Sequence, residues 1–299
     1  MDTRIAYSLS AFSPISLAAL NSKAAMLTRL DRKYIIPADQ LRPAMEAFQA
    51  LFDVLEIDGE RSFTYATVYF DDADLRAYHD HHQGRRRRSK IRVRQYLDAG
   101  LTYLEVKLKD KRDVTVKRRL RLPHPLRDLD TTSTEFIDRC HVELYDEPLS
   151  RKLRPVIAMR YERMTLVARE GGERMTLDTA IEFTSAGRHR RIAPEMFIVE
   201  TKSARGNGIA DAILRGLHLR PTKRCSKYCI GMAAMGRVER ANRFLPALRR
   251  LHLLPVAAAT PSVITEQARP TPLTLGRPAT LLGLAPANRK EQRHVVTCA

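Results

Sequence analysis

The sequence has little cysteine, no long apolar run and a shortage of acid. Only four of its 299 residues are cysteine, at positions 140, 225, 229 and 298. Their spacing matches no disulfide framework, which excludes a stapled scaffold and points to a reducing, cytoplasmic setting. Cys225 and Cys229 stand four apart, as buried inert thiols on one helical face do. No stretch approaches the roughly 18 apolar residues of a membrane span, so insertion into a bilayer is not expected. The N-terminus is a poor secretion signal, because Asp2 precedes the first basic residue and Ser and Pro interrupt its apolar stretch. No internal repeat is found. The 34 acidic residues face 52 Lys and Arg, a net charge of +18. Such an excess suits a polyanionic partner, with nucleic acid, anionic membrane and polyphosphate all open on charge alone.

The cations are arranged in a pattern. Lys90, Arg92 and Arg94 lie at every second residue, as do Glu105, Lys107 and Lys109, then Lys117, Arg119 and Arg121. Arg174, Asp178 and Glu182 repeat the rhythm at a spacing of four, and Glu200 and Lys202 at two. In a β-strand such positions share one face. The alternate positions are largely apolar: Ile91 and Val93; Leu104, Val106 and Leu108; Met175, Leu177, Ile181 and Phe183. A half-buried sheet ordinarily mixes charges and neutral polar groups on its wet face. A face dominated by Lys and Arg with a few acids predicts a concave basic surface around a polyanion, with acids placed for a metal ion.

Periodicity places helices over 15–28, 39–54 and 71–83, across most of 123–150, and over 208–219 and 226–243. Strands are expected near 27–36, 62–70, 88–97, 102–109, 114–122, 156–167, 173–183 and 195–203, with a hairpin turn at Asp98-Ala99-Gly100. The fold class is therefore α+β, and eight strands suffice to close a barrel with an interior. From Pro255 onward proline recurs without sustained periodicity, which reads as a flexible tail over 255–299.

Several short stretches in order resemble the VTC (vacuolar transporter chaperone) polyphosphate polymerase domain, a branch of the triphosphate tunnel metalloenzymes. They are Arg29-Leu-Asp31-Arg-Lys33-Tyr34, Lys90-Ile-Arg92-Val-Arg94, Tyr103-Leu-Glu105-Val-Lys107, the Lys117 strand, Tyr161-Glu-Arg163, Arg174-Met-Thr-Leu-Asp178, Val199-Glu200-Thr-Lys202 and Arg224-Cys-Ser226-Lys227. The resemblance covers about Phe12 to Leu254. It implies a closed antiparallel barrel of about eight strands whose lumen binds triphosphate. It implies phosphate-binding roles for Arg29, Lys33, Arg92, Arg94, Lys107, Lys117, Arg163, Arg174, Arg224, Ser226 and Lys227. Arg163, Arg174, Lys227 and Glu200 carry the catalytic expectation. Glu200 is the expected ligand of a divalent metal, Mn²⁺ or Mg²⁺, with Glu105 and Glu182 as candidates to join it or to hold cations in place. Tunnel triphosphatases often open with E-x-E-x-K, whereas here Arg29 stands at the first acid, which favours polymer synthesis over hydrolysis.

The domain expectation is a lead-in and packing helix over 1–28, a tunnel domain over 29–254 and the tail over 255–299, forming a stand-alone catalytic unit. The partners implied are ATP, inorganic triphosphate and polyphosphate, without specific nucleic-acid binding or membrane insertion. Two alternatives stand beside the polymerase: a tunnel triphosphatase, with water as acceptor, and a module that binds polyphosphate or nucleic acid without turnover. The Arg85–Arg88 run reads as a solvated basic loop or an anion funnel, and His79, His81 and His82 as a helix-end polar cluster.

Overall fold

The computed structural model describes residues 3–23, 30–110, 114–204 and 206–254. Long strands with alternating burial build one large antiparallel sheet. In chain order the elements are α1 (Thr3–Ser10), β1 (Pro14–Ile15), α2 (Leu17–Lys23), β2 (Leu30–Pro37), α3 (Ala38–Gln49), β3 (Phe52–Leu55), β4 (Phe63–Asp71) and α4 (Arg76–Gln83). There follow β5 (Arg88–Tyr96), β6 (Leu101–Lys109), β7 (Thr115–Leu122), α5 (Thr131–Tyr145), β8 (Arg154–Ala168), β9 (Arg174–Ser185), β10 (Arg188–Arg191) and β11 (Met196–Ser203). The helices α6 (Ile209–Gly216), α7 (Lys227–Ala234) and α8 (Leu245–Arg250) complete the described chain. The main path runs β2-β11-β9-β8-β4-β5-β6-β7; β10 adds to β9, β3 to β8, and β1 to β3. The tail and Arg29 lie outside the described residues.

Apolar residues on the outer face hold the helices. Leu41, Ala44, Met45 and Phe48 recur at helical spacing on α3 and pack against Tyr34, Ile36, Leu177 and Val199. On α5, capped by Asp130 accepting from Ser133 N at 2.8 Å, Ile137 and Cys140 cover Val93, Leu104 and Val106. Helix α7 behaves differently. Tyr228, Ile230, Met232 and Ala233 pack on Tyr69, Ile157, Met159, Tyr161, Ile181, Phe183 and Ile198, on the concave side of the sheet. It plugs one end of the concavity.

The closed barrel expected from the sequence is not what is found. Among the described residues β2 pairs only with β11, and β7 only with β6, so the two ends of the path are not joined. The outer edge of β2 has another partner. Thr222 N donates to Lys33 O at 2.7 Å, and Arg250 Nη1 holds Thr222 Oγ1 at 3.0 Å. The sheet is nevertheless strongly curled. Glu200 on β11 and Lys107 on β6, five steps apart in the strand order, act on each other's ionisation across the concavity.

Short elements depart from the sequence expectation. The helix expected through Val54 stops at Gln49, and Phe52–Leu55 becomes β3. The 226–243 helix stops at Ala234, ahead of Gly236 with φ of +64°. Strand β9 carries an irregularity: its register with β8 shifts between Arg160 and Glu162, opposite Ala180, whose φ is +49°. This bulge turns the side chains beyond it to the other face.

Candidate active site

Each wall of the concavity is set by the two-residue rhythm of a strand. On β5, β6 and β7 the residues Ile91, Val93, Leu104, Val106, Leu108 and Val116 take the outer core. Lys90, Arg92, Arg94, Glu105, Lys107 and Lys117 therefore turn inward. On the opposite wall Met175, Leu177 and Val199 pack outward, so Arg174, Asp178, Glu200 and Lys202 face in. Lys33 on β2 and Arg163 on β8 complete that wall through their pairs with Glu200 and Asp178.

Three carboxylates organise these cations. Glu105, 1% exposed, sits between β5 and β7. Arg92 donates to its Oε2 from Nε at 2.7 Å and pairs through Nη2 at 2.6 Å; Arg94 Nη1 lies 3.7 Å away, and Lys117 Nζ is 2.5 Å from Oε1. Burial alone would push the Glu105 carboxyl up, but the three cations outweigh it and hold it well below the usual carboxylate range. Asp178, fully buried, accepts the Arg163 fork through both oxygens, at 2.6 and 2.7 Å, and also takes Lys227 from α7. Its carboxyl is likewise held down, against burial, by Arg163 and Lys227. Glu200 pairs with Lys33 and, at 3.5 Å, with Lys202; those lysines and Lys107 hold it well down against burial.

Lysines that share or lack a counter-ion are shifted down as well, which for them disfavours the charged form. Burial, with neighbouring cations, pulls Lys90, Lys107 and Lys117 from 10.5 to about 8, and Lys202 to about 7. The site is thus crowded with positive charge that its own acids only partly neutralise.

Tyrosines lie among the cations. Arg92 Nη1 donates to Tyr69 Oη at 2.9 Å. Tyr65 stacks on Tyr161 at 5.4 Å and 11°, and the Arg94, Arg163 and Lys227 charges lie 5.2–6.0 Å from the Tyr161 ring. Tyr161 Oη is buried without a hydrogen-bond partner among the described residues.

At the plugged end Ser226 caps α7, accepting from Cys229 N at 3.5 Å, and Lys90 Nζ approaches its Oγ at 3.4 Å. The α7 N-terminus, positive by its peptide dipoles, is directed at the same cations. Arg224 lies over Gly84 and donates from Nη1 to His81 O at 3.4 Å. A Cβ on Gly84 would stand 3.2 Å from that guanidinium, and Gly84 also ends α4 at φ +77°. His81 is pushed down to about 2 by burial and then by Lys90 and Arg88.

The described candidates from the sequence thus gather around one concavity, except for Glu182 and for the exposed Arg224, which is held over Gly84. Glu182 lies past the β9 bulge and faces outward, 3.6 Å from Arg191 and 3.7 Å from His189 on β10. Glu105 holds cations in place. Asp178, Lys90 and Lys202 are the charged residues that sequence reasoning did not assign to the site; their inward register with Arg174, Arg92 and Glu200 was the available signal. Elsewhere His81 and His82, in the last turn of α4, bond to Ala77 O and Asn242 Oδ1. Arg85 and Arg87 pair with Asp80 and Glu147.

No group of three or more His, Cys, Asp or Glu side chains that would cage a metal ion occurs among the described residues. Glu200 offers one carboxylate, already flanked by two lysines. The donor set fits a divalent ion only if phosphate and water oxygens supply most of its shell.

A family profile described as VTC domain matches residues 28–236. Comparison with curated proteins gives no match. Among solved structures the chain is similar to the PH1012 protein of Pyrococcus horikoshii OT3, at 14% identity over 64% of this chain and 92% of that one, with a TM-score of 0.37. It is similar to a putative adenylyl cyclase from Hippeastrum, HpAC1, described as having a dominant triphosphatase activity, at 13% identity over 72% and 100%, TM-score 0.41. The RNA triphosphatase Pct1 of S. pombe aligns at 10% identity over 85% and 90%, TM-score 0.25. These likenesses are too distant to bear on substrate. No helix among the described residues is long and apolar enough to cross a membrane.

Proposed function

The chain belongs to the VTC domain family, and from that premise we propose that it transfers the terminal phosphoryl group of ATP to a growing polyphosphate chain inside the cation-lined concavity. The observation that carries the reading is the convergence of Lys33, Arg92, Arg94, Lys117, Arg163, Lys202 and Lys227 on three carboxylates, with Lys90 and Lys107 beside them, an excess of positive charge that a chain of phosphates would neutralise.

Phosphoryl transfer asks mainly for alignment and charge compensation. Arg92, Arg94 and Arg163 offer planar forks for pairs of phosphate oxygens, and the lysines add compact charges. Glu105, Asp178 and Glu200 hold these side chains in place. Arriving phosphate takes over the donors that the carboxylates occupy. Lys227 and Ser226, at the start of α7, steer the acceptor or product end. Arg174, across from Lys202 in the β9–β11 register, supports the donor's charge. Glu200 is the residue that would hold Mn²⁺ or Mg²⁺, which would neutralise phosphate oxygens and polarise the phosphorus.

The test is incubation of purified protein with ATP and Mn²⁺, with gel analysis. A polyphosphate ladder that Glu200→Gln abolishes while the fold persists supports the proposal. Free phosphate alone selects the triphosphatase, and tight polyphosphate binding without turnover selects a binding module.

A further inference from the structure

Along the outer edge of β2 lies an open pocket of about 370 Å³, lined by none of the lumen cations. Ile35, Ile36, Pro37, Met196 and Leu219 form its apolar floor; Gln40, His218, Arg220, Arg250 and His252 form its polar lining. Every charged residue lining it is a cation, and no carboxylate lines it. That separates it from the lumen, where each group of cations has an acid at its centre.

The two histidines arrive by the same route. His218 follows α6 and His252 follows α8, with φ of +60° and +53°. Each is the left-handed residue of a helix stop. Leu219 N bonds Leu214 O at 2.9 Å and His218 N bonds Arg215 O at 3.0 Å; Leu253 N bonds Leu248 O at 2.8 Å and His252 N bonds Arg249 O at 3.1 Å. Glycine is the usual occupant of this position, because a side chain there is strained. The chain accepts that strain at both histidines, as it does at Asp146 after α5, and both histidine side chains line one pocket. The same bonds satisfy two of the last four carbonyls of each helix. A neutral or charged imidazole donates at least one N–H, and each guanidinium presents a fork. On the β2 edge, alternate residues direct their backbone groups outward. Lys33 O is taken by Thr222, so Ile35, two residues on, turns its N–H to the pocket side.

We propose that this pocket is a second anion site, outside the lumen, that binds a phosphate group, as free phosphate or on a phosphomonoester. The donors exceed what the two oxygens of a carboxylate would use and match the three terminal oxygens of phosphate. The apolar floor gives the organic part of a monoester a surface to lie on. This goes beyond the lumen reading and does not depend on it.

The experiment uses the full chain and inorganic phosphate. The imidazole proton resonances of His218 and His252, assigned by single substitutions, are followed during a phosphate titration at constant pH and ionic strength. Phosphate in the lumen would leave them unmoved. Both resonances should shift along one saturating curve. Arg220→Ala, at an exposed residue, should raise the midpoint by about tenfold or more, the loss of one charge-assisted hydrogen bond. His252→Gly, read at His218, should weaken binding with no loss of melting temperature, because glycine relieves the left-handed strain. Absent or non-saturating shifts, or an unchanged midpoint in either variant, would overturn the proposal.

Discussion

Replacing Glu105 with Gln separates its role as counter-ion from a role in metal binding. Gln keeps the shape and removes the charge that Arg92, Arg94 and Lys117 share. Those three cations, all within 3.7 Å of one carboxylate, would then face one another without compensation. At an effective dielectric near 20, two charges about 4 Å apart interact by roughly 4 kcal/mol. Removing one partner of a buried pair costs about 3–5 kcal/mol. Lys117, drawn down to about 8, can shed its proton and soften the penalty. About 3 kcal/mol is therefore the reasonable loss, or about 6–12 °C in the melting temperature of a chain of this size. Tripolyphosphate should restore most of it, because phosphate supplies the missing negative charge and no longer competes with the carboxylate. Scanning calorimetry of wild type and variant, with and without tripolyphosphate, reads both effects. A ligand-free melting temperature within a degree or two of wild type would refute the reasoning. So would an equal ligand-induced rise in the two proteins.

Three further outcomes follow from the geometry. Lys90, Lys107, Lys117 and Lys202 bind fewer protons folded than unfolded between pH about 7 and 10.5, so ligand-free stability should rise with pH through that window, the cost being fully present below about pH 7. Tripolyphosphate binding near pH 8 should therefore take up protons, and calorimetric enthalpies that match in buffers of different ionisation heat would count against it. Gly231→Ala on α7 would bring a Cβ to 2.6 Å from Phe183 Cδ1 and 2.7 Å from Ile157 Cδ1; overpacking of about 1–3 kcal/mol should exceed the helix-propensity gain of about 1 kcal/mol and lower the melting temperature, whereas a rise would mean that α7 does not plug the concavity.

The walls of β5, β6 and β7 were legible because each is a local pattern. Lys90-Ile91-Arg92-Val93-Arg94 declares its two faces without reference to any other strand. The same rule failed on β9, where the rhythm from Arg174 through Asp178 to Glu182 crosses a bulge that the rhythm itself does not mark. Asp178 was legible as inward but not as a partner of Lys227, because that contact joins residues 49 apart. The open edge of β2 was hidden for a similar reason: Thr222 N meets Lys33 O through a loop that carries no strand pattern. The brief strands β3 and β10 fell below the length at which alternation can be read.

The β9 bulge makes the length of a strand, as much as its composition, decide which side chains meet the ligand. Asp178 before it and Ile181 and Phe183 after it all face inward, although an unbroken strand would put Asp178 on the opposite side from the other two. Deleting Ala180, the extra residue opposite Tyr161, would leave both halves as they are, because Asp178, Thr179, Ile181, Glu182 and Phe183 would then alternate without a break; deleting a residue from the regular part of the strand would instead swing Glu182 into the packing around α7 and Phe183 out to solvent. At the bulge the gene should therefore tolerate a lost codon that the regular stretches of the same strand would not.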